Sequence, residues 1–362
     1  MLTSPENSTQ PTSRARTIQD LADKLGIHKS TVSVAFSGKG RISDSMREKI
    51  LSMALEMGYE PDPVAQRLAN RSKSNMVCLC SGAFGDRIWS DKISFLQNYI
   101  SIMGYEVPIY TPPKAAHNQA EVQATLFRNL RRQRPLAIVL AVYSLHEAAF
   151  VELEQYQKEG GIVISYDLPV PLDCDHIIFD REDNAYQGAR YLLEQGHRHI
   201  GIGMSRVKGS PTDPRNMTQV LRLQGFRRAL SEYGEAMHNE WLFANVSMER
   251  GGGEMARHFL ELKERPTGLC IVNDYVALAC MVELMRAGVK LPEEVSMIGH
   301  DNQPIASFCP IPLTCVSQPS EDIVDAVVKQ LGVRLSGDTQ PPQTITIRGQ
   351  IIERQSVTAP MN

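Results

Sequence analysis

Residues 29–37 gather short hydroxyl side chains and one ammonium on the same stretch: Lys29, Ser30, Thr31 and Ser33. At helical spacing Val32, Ala35 and Phe36 would form the opposite, core-facing side. Short donors beside a cation suit hydrogen bonding to base edges and phosphates in a major groove. A small helical bundle with a protein-binding outer face would show the same pattern, and spacing alone leaves both open.

The flanking residues show what would position that face. Ile18, Leu21, Ala22 and Leu25 fall at i, i+3, i+4 and i+7, one apolar helical stripe. Thr17 with Asp20 has capping-box spacing, and Gly26 stops the helix. A second helix is expected over about 29–37 and ends at Gly38 and Gly40. A third, over about 44–57, is capped by Ser43 and buries Met46, Ile50, Met53, Ala54 and Met57. Two short helices joined through one glycine, with a third packed across them, make a helix-turn-helix. Asp62-Pro63 can open a further helix over 64–70 of about two turns, too short to persist in water without a partner. A plain solvated linker over 62–75 is the other reading, and 72–75 (SKSN) suits it.

From Met76 onward the pattern changes. Short apolar runs (76–80, 136–141, 162–166, 199–204, 269–272, 295–298) alternate with helical stretches such as 93–103, 217–233 and 275–287. Such alternation means a parallel α/β sheet, and about 285 residues are too many for one, so two lobes are expected. Ligands in such proteins sit where strand C-termini converge. Asp167, Asn273 and Asp301 each follow a strand, and Trp89 lies one helical turn beyond one.

Composition narrows the function. The chain is 42% hydrophobic and 22% charged, an ordinary globular mix. Residues 1–16 are rich in Ser, Thr, Pro, Asn and Gln and lack the apolar core of a secretory signal, so a disordered tail on a cytoplasmic chain is expected. The net charge of −3 is unevenly spread: residues 1–75 carry +3 and the remainder −6. Seven cysteines without a CxxC pair read as buried reduced thiols. His197 and His199 flank Arg198 with no further ligand at useful spacing, so no metal and no cofactor is expected. Gly201 and Gly203 lack the third glycine of a dinucleotide fingerprint, and neither a nucleophile elbow nor a phosphate loop occurs; no enzyme is expected.

Residues 17–33 (TIQDLADKLGIHKSTVS), with 42–43, 46–50 (MREKI), 58–61 (GYEP) and 64–69 (VAQRLA), resemble the DNA-binding start of the LacI/GalR family of repressors. In the body, 192–201 (LLEQGHRHIG), 222–230 (RLQGFRRAL), 272–278 (VNDYVAL) and 288–301 (GVKLPEEVSMIGHD) are similar to that family's effector-binding domain, itself like periplasmic sugar-binding proteins. The resemblance implies an N-terminal all-α helix-turn-helix head plus a two-lobed α/β periplasmic-binding-protein-like effector domain. The expected divisions are a tail at 1–16, the head at 17–61, a hinge helix and linker at 62–75 and the effector domain at 76–360. Within that domain an N-lobe takes 76–176 and 306–335, and a C-lobe takes 177–305 and 336–360.

It further implies a homodimer that represses transcription from a pseudo-palindromic operator under allosteric control by a small molecule, most simply a sugar or sugar derivative. DNA contacts would come from Thr17, His28, Lys29, Ser30, Thr31, Ser33 and Ser37, with Ala65 and Leu68 of the hinge in the minor groove, Leu68 as a wedge. Effector contacts would come from Trp89, Asp167, Arg222, Asn273 and Asp301: Asp301 and Asn273 to hydroxyls, Arg222 as a charged clamp, Trp89 stacking on a ring. Two departures stand out: Val34 takes the place of a customary Arg, and Ser37 that of a customary Asn. A sensor whose head contacts protein instead of DNA is the competing reading.

Overall fold

The structure is a computed structural model that describes residues 17–37, 40–59, 74–81, 87–112, 118–141, 145–204, 216–244 and 250–361. The expected tail at 1–16 and most of the expected hinge, including Ala65 and Leu68, lie outside the described residues. The chain divides into two compact units, Met1–Ser74 and Asn75–Asn362.

The first unit holds α1 (Ile18–Leu25), α2 (Lys29–Ser37) and α3 (Asp44–Met57). The start of α1 is a full capping box: Asp20 N–H donates to Thr17 Oγ1 at 3.2 Å, and Thr17 N–H donates to Asp20 Oδ2 at 2.8 Å. Gly26 ends α1 and Gly58 ends α3, both left-handed, a conformation open to glycine because it has no Cβ. Leu21, Ala22, Val32, Ala35, Ile50, Ala54 and Met57 form the buried centre. Phe36 packs edge-to-face on Tyr59 with centroids 5.7 Å apart.

The second unit contains two six-stranded sheets. The first lobe has β1 (Val77–Ser81), β2 (Ile109–Tyr110), β3 (Ala137–Ala141), β4 (Ile162–Asp167), β5 (Asp175–Phe179) and β11 (Thr344–Ile347), ordered β11-β5-β4-β3-β1-β2 and parallel throughout. The helices α4 (Arg87–Ile102) and α11 (Ser320–Leu335) cover one face, and α5 (Gln119–Gln133) and α6 (Glu147–Lys158) cover the other. Fully buried strands read as continuous apolar runs for this reason: both faces of AIVLA in β3 meet helices.

The second lobe has β6 (Ile200–Gly203), β7 (Leu242–Phe243), β8 (Gly268–Ile271), β9 (Ser296–Asp301), β10 (Thr314–Ser317) and β12 (Ile351–Ile352), ordered β12-β10-β9-β8-β6-β7. All pair in parallel except the edge strand β12. Its faces are covered by α7 (Arg181–Glu194) with α8 (Met217–Glu232), and by α9 (Gly251–Glu261) with α10 (Asp274–Arg286).

The lobe boundaries drawn from sequence need correcting. β10 lies in the second sheet although 306–335 was assigned to the first lobe, and β11 lies in the first sheet although 336–360 was assigned to the second. The chain passes between lobes three times: after β5, after β10 and after β11. These strands lack the long apolar run that signals a central strand. β5 alternates buried and half-buried residues, and β11 is an edge strand that alternates exposed and half-buried ones.

α7 and α8 pack so closely that a Cβ on Gly225 would collide with the main-chain carbonyl of Glu182. Replacing a mid-helix glycine by alanine ordinarily gains about 0.5–1 kcal/mol. Here overpacking dominates, at about 1–3 kcal/mol. Gly225→Ala is therefore expected to lower the urea midpoint of unfolding; a raised midpoint would show that α7 and α8 have room to separate.

Candidate functional site

In the head, Lys29, Ser30 and Ser33 are exposed on α2, as the apolar period requires, and Thr31 is half-buried. His28 precedes the helix; its Nδ1 lies 2.8 Å from Ser30 Oγ and accepts from Ser30 N–H at 3.4 Å, so it serves the helix start as a cap. Thr17 is likewise engaged in its own capping box. Ser37 is the last residue of α2. The head thus brings together a face of one ammonium and several hydroxyls without an exposed carboxylate on α2 itself.

In the body, β4 and β9 both end on a carboxylate with positive φ: Asp167 at 74° and Asp301 at 100°. Such backbone is costly for a residue with a Cβ and persists where surrounding contacts enforce it, often at functional sites. Those contacts are visible. Asp167 is fully buried; Lys92 Nζ donates to its Oδ1 at 2.6 Å, Gln318 Nε2 to Oδ1 at 3.0 Å and Arg181 Nη2 to Oδ2 at 2.7 Å. Arg181 Nη1 donates to the Asp167 main-chain oxygen at 2.6 Å. Lys92 and Asp167 come from the first lobe, Arg181 opens the first helix of the second, and Gln318 lies in the passage from β10 to α11. Burial pulls the Lys92 ammonium below its usual range; the attraction of Asp167 opposes this, and Asp301 adds to the opposition.

The ladder continues to the other predicted positions. Gln318 N–H donates to the Asp301 carbonyl at 3.1 Å, and Asn273 Nδ2 donates to Asp301 Oδ2 at 3.2 Å. Asn273 Oδ1 caps α10 by accepting from Tyr275 N–H at 2.9 Å and Val276 N–H at 3.4 Å. Asp167, Asn273 and Asp301 therefore belong to one hydrogen-bonded chain. Asp167 spends its carboxylate on protein donors, while Asp301 lines a cavity of about 370 Å³ with Asn302, Gln303, Gln318, Ser320, Asp91 and Phe95. Arg222 is half-buried on α8, and its charge helps to hold the buried His300 ring, pushed down to about 4 mainly by burial, in the neutral form. Trp89 stands in the first turn of α4.

Sequence reasoning missed Lys92, Arg181 and Gln318. For Lys92 a signal existed: it sits four residues after Ile88 in the stripe Ile88, Ile93, Leu96 and Ile100, where a charge needs a buried partner. That lysine also hid the start of α4, which begins six residues before the expected 93. Next to the ladder, Asp274 Oδ2 accepts the N–H of Gln303, and Oδ1 accepts the Cys315 thiol at 3.2 Å.

Asp167→Ala would leave Lys92 and Arg181 buried without their anion, a loss of about 3–5 kcal/mol readable in urea unfolding. A loss under about 1 kcal/mol would show that water reaches the two cations. Asp274 carries a pH dependence of its own. Burial pushes its carboxyl up to about 7, so the folded protein keeps a proton that the unfolded chain, near 3.8, has already released. Its contribution to stability is present at low pH and lost as pH rises towards 7. The wild-type urea midpoint is expected to fall relative to Asp274→Asn between pH 4.5 and 7.5, and a constant difference would contradict this assignment.

Comparison with known proteins completes the picture. Residues 17–62 match the model of bacterial regulatory proteins of the lacI family, and residues 189–357 match that of the periplasmic binding protein-like domain. The HTH-type transcriptional regulator DegA of Bacillus subtilis is 27% identical over 352 residues, covering 96% of this chain and 99% of that protein. The HTH-type transcriptional repressor PurR of Aliivibrio salmonicida is 23% identical, covering 94% and 98%. Among solved structures, the Lac repressor dimer bound to operator and the anti-inducer ONPF superposes with a TM-score of 0.78 at 20% identity, over 96% of this chain and 100% of that one. The complex of the transcriptional regulator CelR with cellobiose gives 0.67 at 21%, over 94% and 100%. With a lacI-family helix-turn-helix domain and a two-sheet periplasmic-binding-like domain in one chain, this protein has the make-up of a DNA-binding transcriptional regulator, as its relatives of matching length are named.

Proposed function

We propose that the chain represses transcription as a cytoplasmic homodimer whose grip on a pseudo-palindromic operator is set by a small carbohydrate bound between its lobes. The observation that carries this reading is the junction itself: a buried ladder spanning both lobes, with Asp301 at its edge lining a sugar-sized cavity. A ligand that competes for the polar groups along this ladder would bias one lobe arrangement over another, and only its differential affinity for the two arrangements does work. The head supplies Lys29, Ser30, Thr31, Ser33 and Ser37 to the major groove, with Thr17 and His28 at helix starts near phosphates. Ala65 and Leu68 act in the minor groove.

Two relatives support the class of partner: a solved structure names operator DNA with a Lac repressor dimer, and another names cellobiose with CelR. The outer side of α4 supports a dimer, because Tyr99 and Ile102, with Met103 just past the helix end, leave an exposed apolar patch there. Asp301 and Asn273 take hydroxyls of the effector, Arg222 clamps it, and Trp89 stacks on its ring. Asp167 acts behind them, holding the wall. Asp91, Asp301, Glu321 and Asp322 line the cavity, and Arg222, which lies outside its described lining, is the one cation proposed for the effector; four carboxylates against one guanidinium favour a neutral sugar over a phosphorylated one.

A thermal-shift screen should therefore raise the melting temperature with a neutral sugar and not with its phosphate. Fluorescence anisotropy on the protein's own promoter fragment should show binding that weakens steeply with salt and changes with that sugar. Asp301→Asn is expected to weaken the sugar at least about tenfold, by loss of a charge-assisted hydrogen bond, while leaving sugar-free DNA affinity unchanged. No salt-dependent binding to the promoter would end the repressor reading; a sugar phosphate as sole ligand would end the neutral-sugar part alone.

A further inference from the structure

Val34 is out of place for an apolar residue. On α2 the buried Val32 and Ala35 and the half-buried Phe36 mark the inward side. Ser30 and Val34, one turn apart, point the other way. Among the described residues of the head, the other half-buried apolar side chains (Ile18, Leu25, Ile27, Phe36, Ile42, Met46, Met53 and Tyr59) pack against the core, and Val34 does not. Among the described residues, the main chain of Gly40 lies against it: a Cβ on Gly40 would stand 2.9 Å and 3.1 Å from its two γ-carbons. Gly40 has a φ of +129°, so both the conformation and the closeness call for glycine there. The isopropyl group is thereby held from one side, on a side chain already stiff at χ1.

The exposed surroundings are Lys29, Ser30 and Ser33, which hydrogen-bond and leave Val34 as the one apolar point of the outward face. In the major groove a single base edge is apolar, the C5-methyl of thymine. Resting on the DNA-binding reading above, we propose that Val34 reads a thymine methyl in each operator half-site, and that Gly40 holds it in position for this. Where relatives with Arg at this place would select guanine, this chain selects thymine through methyl-to-methyl packing, with Ser30 and Ser33 bonding to adjacent edges or phosphates.

The test uses the full-length protein and a randomised duplex library. Wild type should enrich a two-fold symmetric site with thymine at one fixed position per half, and Val34→Ala should lose the preference at that position alone. In the selected duplex, deoxyuridine then replaces that thymine and removes only the methyl. Wild type should lose about three- to fivefold in affinity per half-site, the worth of one buried methyl, while Val34→Ala should bind both duplexes equally. Val34→Thr, which keeps the shape and swaps a methyl for a hydroxyl, should show a reduced discrimination and guards against a misfolded alanine variant. A wild type indifferent to deoxyuridine at every thymine, or a Val34→Ala that still discriminates, overturns the assignment and leaves DNA binding intact. Enrichment of no sequence at all by wild type overturns the DNA-binding reading and this one with it.

Discussion

A single carboxylate, that of Asp167, is where the effector unit is tied together. It is fully buried and takes donors from three separate segments, through Lys92, Arg181 and Gln318. Two cations and one anion in the interior are tolerable only if each is bonded, so the geometry around Asp167 admits little slack. That constraint explains the left-handed backbone at the end of β4, the placement of a lysine inside an otherwise apolar helix stripe and the position of the passage from β10 to α11. Asp301 faces the cavity with Asn273 bonded to its carboxylate and the main chain of Gln318 bonded to its carbonyl.

The head obeys simpler rules. Its three helices are short and hold together through a small apolar centre and well-formed ends: the Thr17 box, the Ser43 cap and the glycines at 26 and 58. With so little buried area, each cap worth about 1 kcal/mol is a large share of the whole. Thr17 and His28 each satisfy an amide at a helix start.

How much of this was legible in the sequence depends on how local each determinant is. Helix periods, caps and the strand ends carrying Asp167, Asn273 and Asp301 follow from neighbours within a few residues, and they were readable. The ladder was not, because Lys92 and Asp167 meet across 75 positions and Gln318 reaches Asp167 across 151. Edge strands such as β11 carry too little apolar signal to declare their sheet, and so the lobes were divided in the wrong place. Val34 was legible as a departure from a family pattern, but not as a side chain seated on Gly40, which requires the loop to return over the helix.

The triple passage of the chain between lobes has a bearing on how the protein is made. Neither lobe is a contiguous stretch of polypeptide: β11, the edge of the first sheet, is synthesised only after nearly all of the second lobe, and β12, the edge of the second sheet, comes directly after it. On the ribosome the first lobe must therefore wait with an unpaired β5 edge while the second forms, and a few C-terminal residues then close both sheets in one stroke. As objects of folding the two lobes are therefore inseparable.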